Sequence, residues 1–126
     1  MRVLIVDDSA VMRKMICLSM EQMAPEVYQF VEAADGVEAL QMLSQHSFDL
    51  VLTDWNMPNM NGLAFVQQAR KHPAFKKMPI IMITTEAEKT SVVAALQSGV
   101  NNYIIKPFDA PTLAAKIDVT MLKARK

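Results

Sequence analysis

Five short apolar runs constrain this chain more than any other feature: Val3 to Val6, Val27 to Val31, Leu50 to Leu52, Ile80 to Ile83 and Tyr103 to Ile105. Each is continuous or period-2 in β-branched and aromatic residues, as strands are. Helical patterns separate them, so strand and helix alternate from end to end. A parallel pair of strands needs a crossover long enough to hold a helix, so this alternation predicts a parallel sheet with helices on both faces. Right-handed crossovers prune the remaining topologies. The expected architecture is an α/β, flavodoxin-like, doubly wound sheet of five strands with five helices. Its order, 2-1-3-4-5, is adopted from such folds and is not derivable from the pattern alone.

The first helix is expected from Ser9, a candidate N-cap, to about Met23, with Val11, Met15, Leu18, Met12 and Ser19 on neighbouring faces and Pro25 beyond its end. Asp35 to His46 places Val37, Leu40 and Leu43 on one face after an Asp-Gly start, and Asn61 to Lys71 does the same with Leu63, Phe65 and Val66. A fourth helix, about Glu88 to Ser98, stops at Gly99, a residue suited to a left-handed C-cap. The last, about Ala110 to Lys123, begins beside Pro111, which a first turn tolerates. Most of the eleven methionines, Met12, Met15, Met42 and Met82 among them, fall at core-like spacings, whereas Met57 and Met60 lie in a loop, where exposure is expected.

Four of the strands end in residues suited to phosphate and metal chemistry. Val6 runs into Asp7 and Asp8, Leu52 into Thr53 and Asp54, Ile83 into Thr84 and Thr85, and Ile105 into Lys106. In a parallel sheet these ends meet at the carboxyl edge, where open α/β sheets bind ligands. Three carboxylates at ~5 to 6 Å repel by roughly 3 kcal/mol per pair at an effective dielectric near 20, so the cluster calls for a cation. Oxygen donors beside a phosphate suit Mg²⁺. Asp54 is placed as a nucleophile able to form an acyl phosphate, Lys106 as the cation that neutralises the arriving phosphoryl group, and Thr84 as a hydroxyl donor to it. Each residue also has a plainer use: Asp8 and Ser9 as helix caps, Asp54 as a turn residue, Thr84 as a strand former, Lys106 as a solvated side chain. Capping and solvation do not account for all of them arriving at one edge. Trp55 follows Asp54 in a loop, either as a contact surface or as a lid, and Tyr103 reads first as a packed ring.

Composition narrows the function classes. The 126 residues suit one domain, 1–126, with no linker or repeat. Thirteen basic residues balance thirteen acidic ones, which leaves no positive field for nucleic acid. The terminal Lys123-Ala124-Arg125-Lys126 is a cationic helix end. No apolar run approaches the ~20 residues that span a membrane, and no signal peptide is evident, so a cytoplasmic protein without membrane contact is expected. Cys17, the single cysteine, excludes an internal disulfide and reads as a packing residue. His46 and His72 have no metal-ligand spacing.

Four motifs, Val6-Asp7-Asp8-Ser9, Asp54 through Gly62 (DWNMPNMNG), Ile83-Thr84-Thr85-Glu86-Ala87 and Tyr103-Ile104-Ile105-Lys106-Pro107-Phe108, occur in order across the whole chain. Together they resemble the receiver domain of two-component response regulators, most closely its stand-alone chemotaxis members. The resemblance implies that Asp54 is the phosphoacceptor, that Asp7, Asp8, Asp54 and the backbone carbonyl of Asn56 hold Mg²⁺, and that Thr84 and Lys106 bind the phosphoryl group. It implies a histidine kinase as phosphodonor and a switch in which Thr84 and Tyr103 alter the surface of the fourth helix, last strand and last helix. It also implies a cis Lys106-Pro107 bond. Asn56 and Glu86 match the positions that set phosphoryl lifetime, and here they imply a short-lived signal that a phosphatase can shorten further. The implied output is binding to a downstream protein, a flagellar switch or another kinase complex, by a monomer that can dimerise on activation. Such a protein promotes only its own phosphorylation and dephosphorylation. Thr85 departs from the alanine common in chemotaxis members. A rival reading, a Mg²⁺-dependent phosphohydrolase of the haloacid dehalogenase type, requires an aspartate where Asn56 stands; a non-signalling interaction module on the same fold is the other alternative.

Overall fold

In the computed structural model, which describes residues 1–85 and 89–124, all five strands pair in parallel in the order β2-β1-β3-β4-β5. They are β1 (Arg2–Val6), β2 (Gln29–Ala33), β3 (Leu50–Thr53), β4 (Ile80–Thr84) and β5 (Asn102–Ile105). The connecting helices are α1 (Ala10–Met23), α2 (Gly36–Gln45), α3 (Gly62–Lys71), α4 (Lys89–Ser98) and α5 (Ala110–Ala124). The register sets Val6 beside both Ala33 and Thr53, Thr53 beside Met82, and Met82 beside Tyr103. The expected order and helix count are both found.

The strands read as continuous apolar runs because both faces of the sheet are covered. Leu4, Val6, Val51, Ile80, Met82 and Tyr103 point into a core closed by Ala39 and Leu43 of α2, Phe65, Val66 and Ala69 of α3, and Ala95 of α4. Val3, Ile5, Leu50, Leu52, Ile81, Ile83 and Ile104 point the other way, against Ile16, Cys17 and Met20 of α1 and Leu113 and Ile117 of α5. Each fully buried Leu or Ile contributes about 1.5–3 kcal/mol relative to exposure, which outweighs the weak intrinsic propensities of such short strands.

Caps set the helix starts. Ser9, Asp35 and Asn61 have extended backbones, and their side chains accept from the amides of Met12, Glu38 and Ala64 at the N-termini of α1, α2 and α3. Gly99, with φ of 116°, follows the last residue of α4, as expected. His46 and His72 are the C-caps of α2 and α3. A 3-10 turn at Pro73–Phe75, absent from the sequence expectations, joins α3 to β4.

Several expectations need correction. On α1 the expected apolar stripe is the outer one: Val11, Met15 and Leu18 are exposed, while Ile16, Cys17 and Met20 are buried. Val37 likewise faces outward on α2, where Ala39 takes the inner position. Met57 and Met60 pack against the core despite lying in a loop. β2 begins two residues later than Val27, where pairing to β1 starts at Arg2 opposite Gln29.

Burial, followed by the charges of Glu32 and Glu21, pushes the Cys17 thiol up to about 11. At pH 8 about one molecule in a thousand then carries the reactive thiolate. Cys17 in the native protein should therefore resist a disulfide reagent at pH 8 and react completely in denaturant; rapid native labelling would contradict the burial.

Arg70, at the end of α3, ties down the far end of α4. Its guanidinium donates to the Gly99 carbonyl at 3.0 and 2.9 Å, to the Phe75 carbonyl at 2.6 Å and to Asn101 Oδ1 at 2.9 Å. Asn101 Oδ1 also accepts from the Ile80 amide at 2.8 Å, so the clamp reaches the start of β4.

Candidate functional site

Three of the chemistry-bearing residues at the sheet's carboxyl edge are each held by a backbone bond beyond the last strand residue. The Asp7 amide donates to the Ala33 carbonyl at 3.1 Å, Asp54 to Val6 at 2.8 Å and Lys106 to Thr84 at 2.9 Å. Continuing the ladder fixes three backbones relative to one another before any side-chain contact is made.

The side chains then converge. Asp7, Asp8 and Asp54 each offer a carboxylate oxygen, and these oxygens lie within 4.8 Å of one another. Lys106 Nζ donates to Asp7 Oδ2 at 2.8 Å and to Asp54 Oδ2 at 3.2 Å. The second oxygens are also placed: Asp7 Oδ1 accepts from the Ser9 amide at 2.8 Å, and Asp54 Oδ1 from the Trp55 amide at 2.7 Å. Asp7 is buried and Asp8 exposed. Burial pulls the Lys106 ammonium down, but the hydrogen bond to Asp7 and the charges of Asp54 and Asp7 outweigh it, leaving its pKa raised. Three carboxylates against one ammonium leave the cluster anionic. Hard oxygen donors at this spacing fit Mg²⁺, with Asp7, Asp8 and Asp54 as the residues that would hold it.

Arg13 of α1, not singled out in the sequence, supports Asp7 from behind. Its guanidinium donates to the Asp7 carbonyl at 2.5 Å and pairs with Glu32 of β2 at 2.9 Å. Thr84 ends β4 and is buried, tied to Lys106 through its carbonyl. Side-chain alternation along β4 and β5 puts Thr84 and Tyr103 on the face covered by α4, and Tyr103 is buried in that core. Asn56 is exposed in the loop after Asp54, and Trp55 is half-buried against the core. Glu86 lies outside the described residues. The Lys106-Pro107 bond is cis.

The loop from Asp54 to Gly62 is braced at both ends. The Gly62 amide donates to the Trp55 carbonyl at 2.8 Å, and Gly62 sits so close to the Asp54 carbonyl that a Cβ there would lie 1.9 Å from its oxygen. Farther along, Asn59 Nδ2 donates to Asp35 Oδ2 at 2.8 Å, and the Gly36 amide donates to the Met60 carbonyl at 3.0 Å. Asp35 is buried, and the bonds from Asn59 and the Glu38 amide hold its carboxyl below the usual carboxylate range. The sequence marks Asp35 only as a helix start; nothing local reveals a partner 24 positions away.

The chain matches the family model for the response regulator receiver domain over residues 3–118. The chemotaxis protein CheY1 of Helicobacter pylori is 47% identical over 122 residues, spanning 96% of this chain and 97% of that protein. The chemotaxis protein CheY-3 of Vibrio cholerae is 43% identical over 118 residues, spanning 94% and 89%. Among solved structures, the chemotaxis response regulator CheY4 of Vibrio cholerae aligns with a TM-score of 0.86 at 34% identity, over 94% of this chain and 97% of that one. Ladder-fixed acidic and lysine residues on a 2-1-3-4-5 sheet, and relatives matching almost end to end, lead to one assignment: the chain is a CheY-like member of the response regulator receiver domain family.

Proposed function

We propose that this chain is a single receiver domain, 1–126, working in the cytoplasm as a phosphorylation-controlled binding switch of a chemotaxis pathway. The observation that carries this reading is the convergence of Asp7, Asp8 and Asp54 on Lys106 Nζ. An Asp54 carboxylate oxygen attacks the phosphorus of a phosphohistidine on a histidine kinase. A P–O bond forms, the P–N bond breaks, and the imidazole leaves with the electron pair. Lys106, already between Asp7 and Asp54, neutralises charge on the transferred group, and the Thr84 hydroxyl donates to another of its oxygens. Asp7, Asp8, Asp54 and the Asn56 carbonyl would hold Mg²⁺, which when bound would supply charge neutralisation and orientation. By the family resemblance Asn56 and Glu86 match the positions that set phosphoryl lifetime, and this pair favours a short one, with an external phosphatase as a further control.

The phosphoryl group carries about −1.5 to −2 charges where the Asp54 carboxylate carried one, so the charge both grows by about −0.5 to −1 and moves outward. Thr84 responds to that charge and Tyr103 lies on the same face beneath α4, so the output surface is α4, β5 and α5. Exposed Val93, Leu96, Ile105, Val119 and Leu122 lie on these elements. The partner is a downstream protein, a flagellar switch or another kinase complex. A shift from 1:99 to 99:1 needs ~5.5 kcal/mol of differential stabilisation. The phosphohydrolase alternative lacks its general acid, since Asn56 stands where the second aspartate belongs.

Trp55, the sole tryptophan, adjoins Asp54 and reports on the site. Adding Mg²⁺ and then a small phosphodonor should change its fluorescence and add one phosphoryl group to the intact mass. Lys106→Ala should still accept the group, more slowly, while losing the accompanying gain in partner affinity. Unchanged fluorescence and mass in the wild type would overturn the reading.

A further inference from the structure

We infer that Asp35 and Asn59 are positioning residues, whose hydrogen bond between α2 and the β3–α3 loop fixes the Asn56 carbonyl where a metal beside Asp54 would meet it. The inference rests on the proposed reading of the site and extends it to two residues outside the acidic cluster. Only Asn56, Met57 and Pro58 separate the brace at Trp55 from the brace at Asn59. Met57 is packed against the core, and the ring of Pro58 fixes its own φ. The Asn56 carbonyl therefore has little freedom while both braces hold. Asn59 adopts φ of 64°, a left-handed conformation that asparagine tolerates, and so turns the chain back toward α2.

Helix capping alone does not account for a carboxylate at position 35. Capping uses one oxygen, which Ser, Thr or Asn supplies equally well. Asp35 uses both: Oδ1 accepts from the Glu38 amide at 2.9 Å, and Oδ2 from Asn59 at 2.8 Å. Asp35 is itself buried, so the part-buried second bond is shielded from water on the carboxylate side. The neighbouring contact is equally close, for a Cβ at Gly36 would meet the Met60 carbonyl oxygen at 2.8 Å. The start of α2 is thus shaped to receive this loop as well as to begin a helix.

Two variants separate positioning from capping. Asp35→Ser keeps the cap and removes the second acceptor, while Asn59→Gly keeps the left-handed backbone and removes the donor. Each should weaken Mg²⁺ binding about tenfold in a Trp55 fluorescence titration, the lower end of the usual effect of losing an outer-shell support. In metal-free protein each should lower the NMR order parameter of the Asn56 and Met57 amides from about 0.85 toward 0.6. The exchanged pair Asp35→Asn with Asn59→Asp retains a cap oxygen and reverses donor and acceptor, so it should restore both values. Unchanged Mg²⁺ affinity and order parameters in both single variants, whatever happens to their melting temperatures, would overturn the positioning role and leave the site reading intact. A wild type that does not respond to Mg²⁺ would overturn both.

Discussion

Asp54→Asn should take up no phosphoryl group, from either a kinase or a small phosphodonor, and should still fold. The substitution removes the nucleophilic carboxylate and preserves its shape. Stability should survive because opposing effects are similar in size. The variant loses the ionic bond from Lys106 Nζ at 3.2 Å, yet Lys106 keeps Asp7 at 2.8 Å. It also relieves repulsion of roughly 3.5 kcal/mol per carboxylate pair at an effective dielectric near 20, the oxygens lying within 4.8 Å of one another. The metal-free variant should therefore melt no lower than the wild type, whereas its Mg²⁺ affinity should fall with the loss of one ligand. Intact mass and thermal melts decide this. A phosphoryl group still acquired by the variant would move the acceptor to another residue.

Gly62→Ala sets helix propensity against packing, and packing should win. Alanine is better than glycine inside a helix by about 0.8–1 kcal/mol, and Gly62 is the first residue of α3. The added Cβ, however, would lie 1.9 Å from the Asp54 carbonyl oxygen, a backbone atom that cannot rotate away. Relief requires moving the phosphoacceptor's own peptide or the start of α3. Overpacking of this kind costs typically 1–3 kcal/mol and occasionally more, and contact with backbone favours the upper end. A net loss near 2 kcal/mol should lower the melting temperature by about 8 °C. Phosphoryl transfer should fall as well, because the moved peptide carries Asp54. A melting temperature equal to or above the wild type would show that the loop yields freely, contrary to its double bracing.

The sheet was legible because strands buried on both faces leave an unbroken apolar run, and four such runs carried their polar ends into view together. Position along the edge strand β2 was less legible, since a single neighbour sets where it starts. α1 was misread for a physical reason: Val11, Met15 and Leu18 share one helical face, but Met12, Ile16, Cys17 and Met20 share another, and only contact with the sheet and α5 selects between them. The acidic cluster and its lysine followed from strand order. The supports from Arg13, Asp35 and Asn59 did not: Asp35 and Asn59 meet across 24 positions, and Arg13 links the Asp7 carbonyl to Glu32, 19 positions on, through bonds that no local pattern anticipates.

The clamp of Arg70 on Gly99 would limit how α4 could move. A helix of ten residues is about 15 Å long, and its C-terminal end is pinned to α3, the 3-10 turn and the start of β4. Sliding along its axis would break both charged hydrogen bonds from Arg70 to the Gly99 carbonyl, whereas pivoting about the pinned end would leave those two in place. A tilt of about 10° would carry the free end through ~2.6 Å over that length. On the proposed reading, α4 would act as a lever hinged at the floor of the domain, and a small displacement near Thr84 would become an angle across its surface.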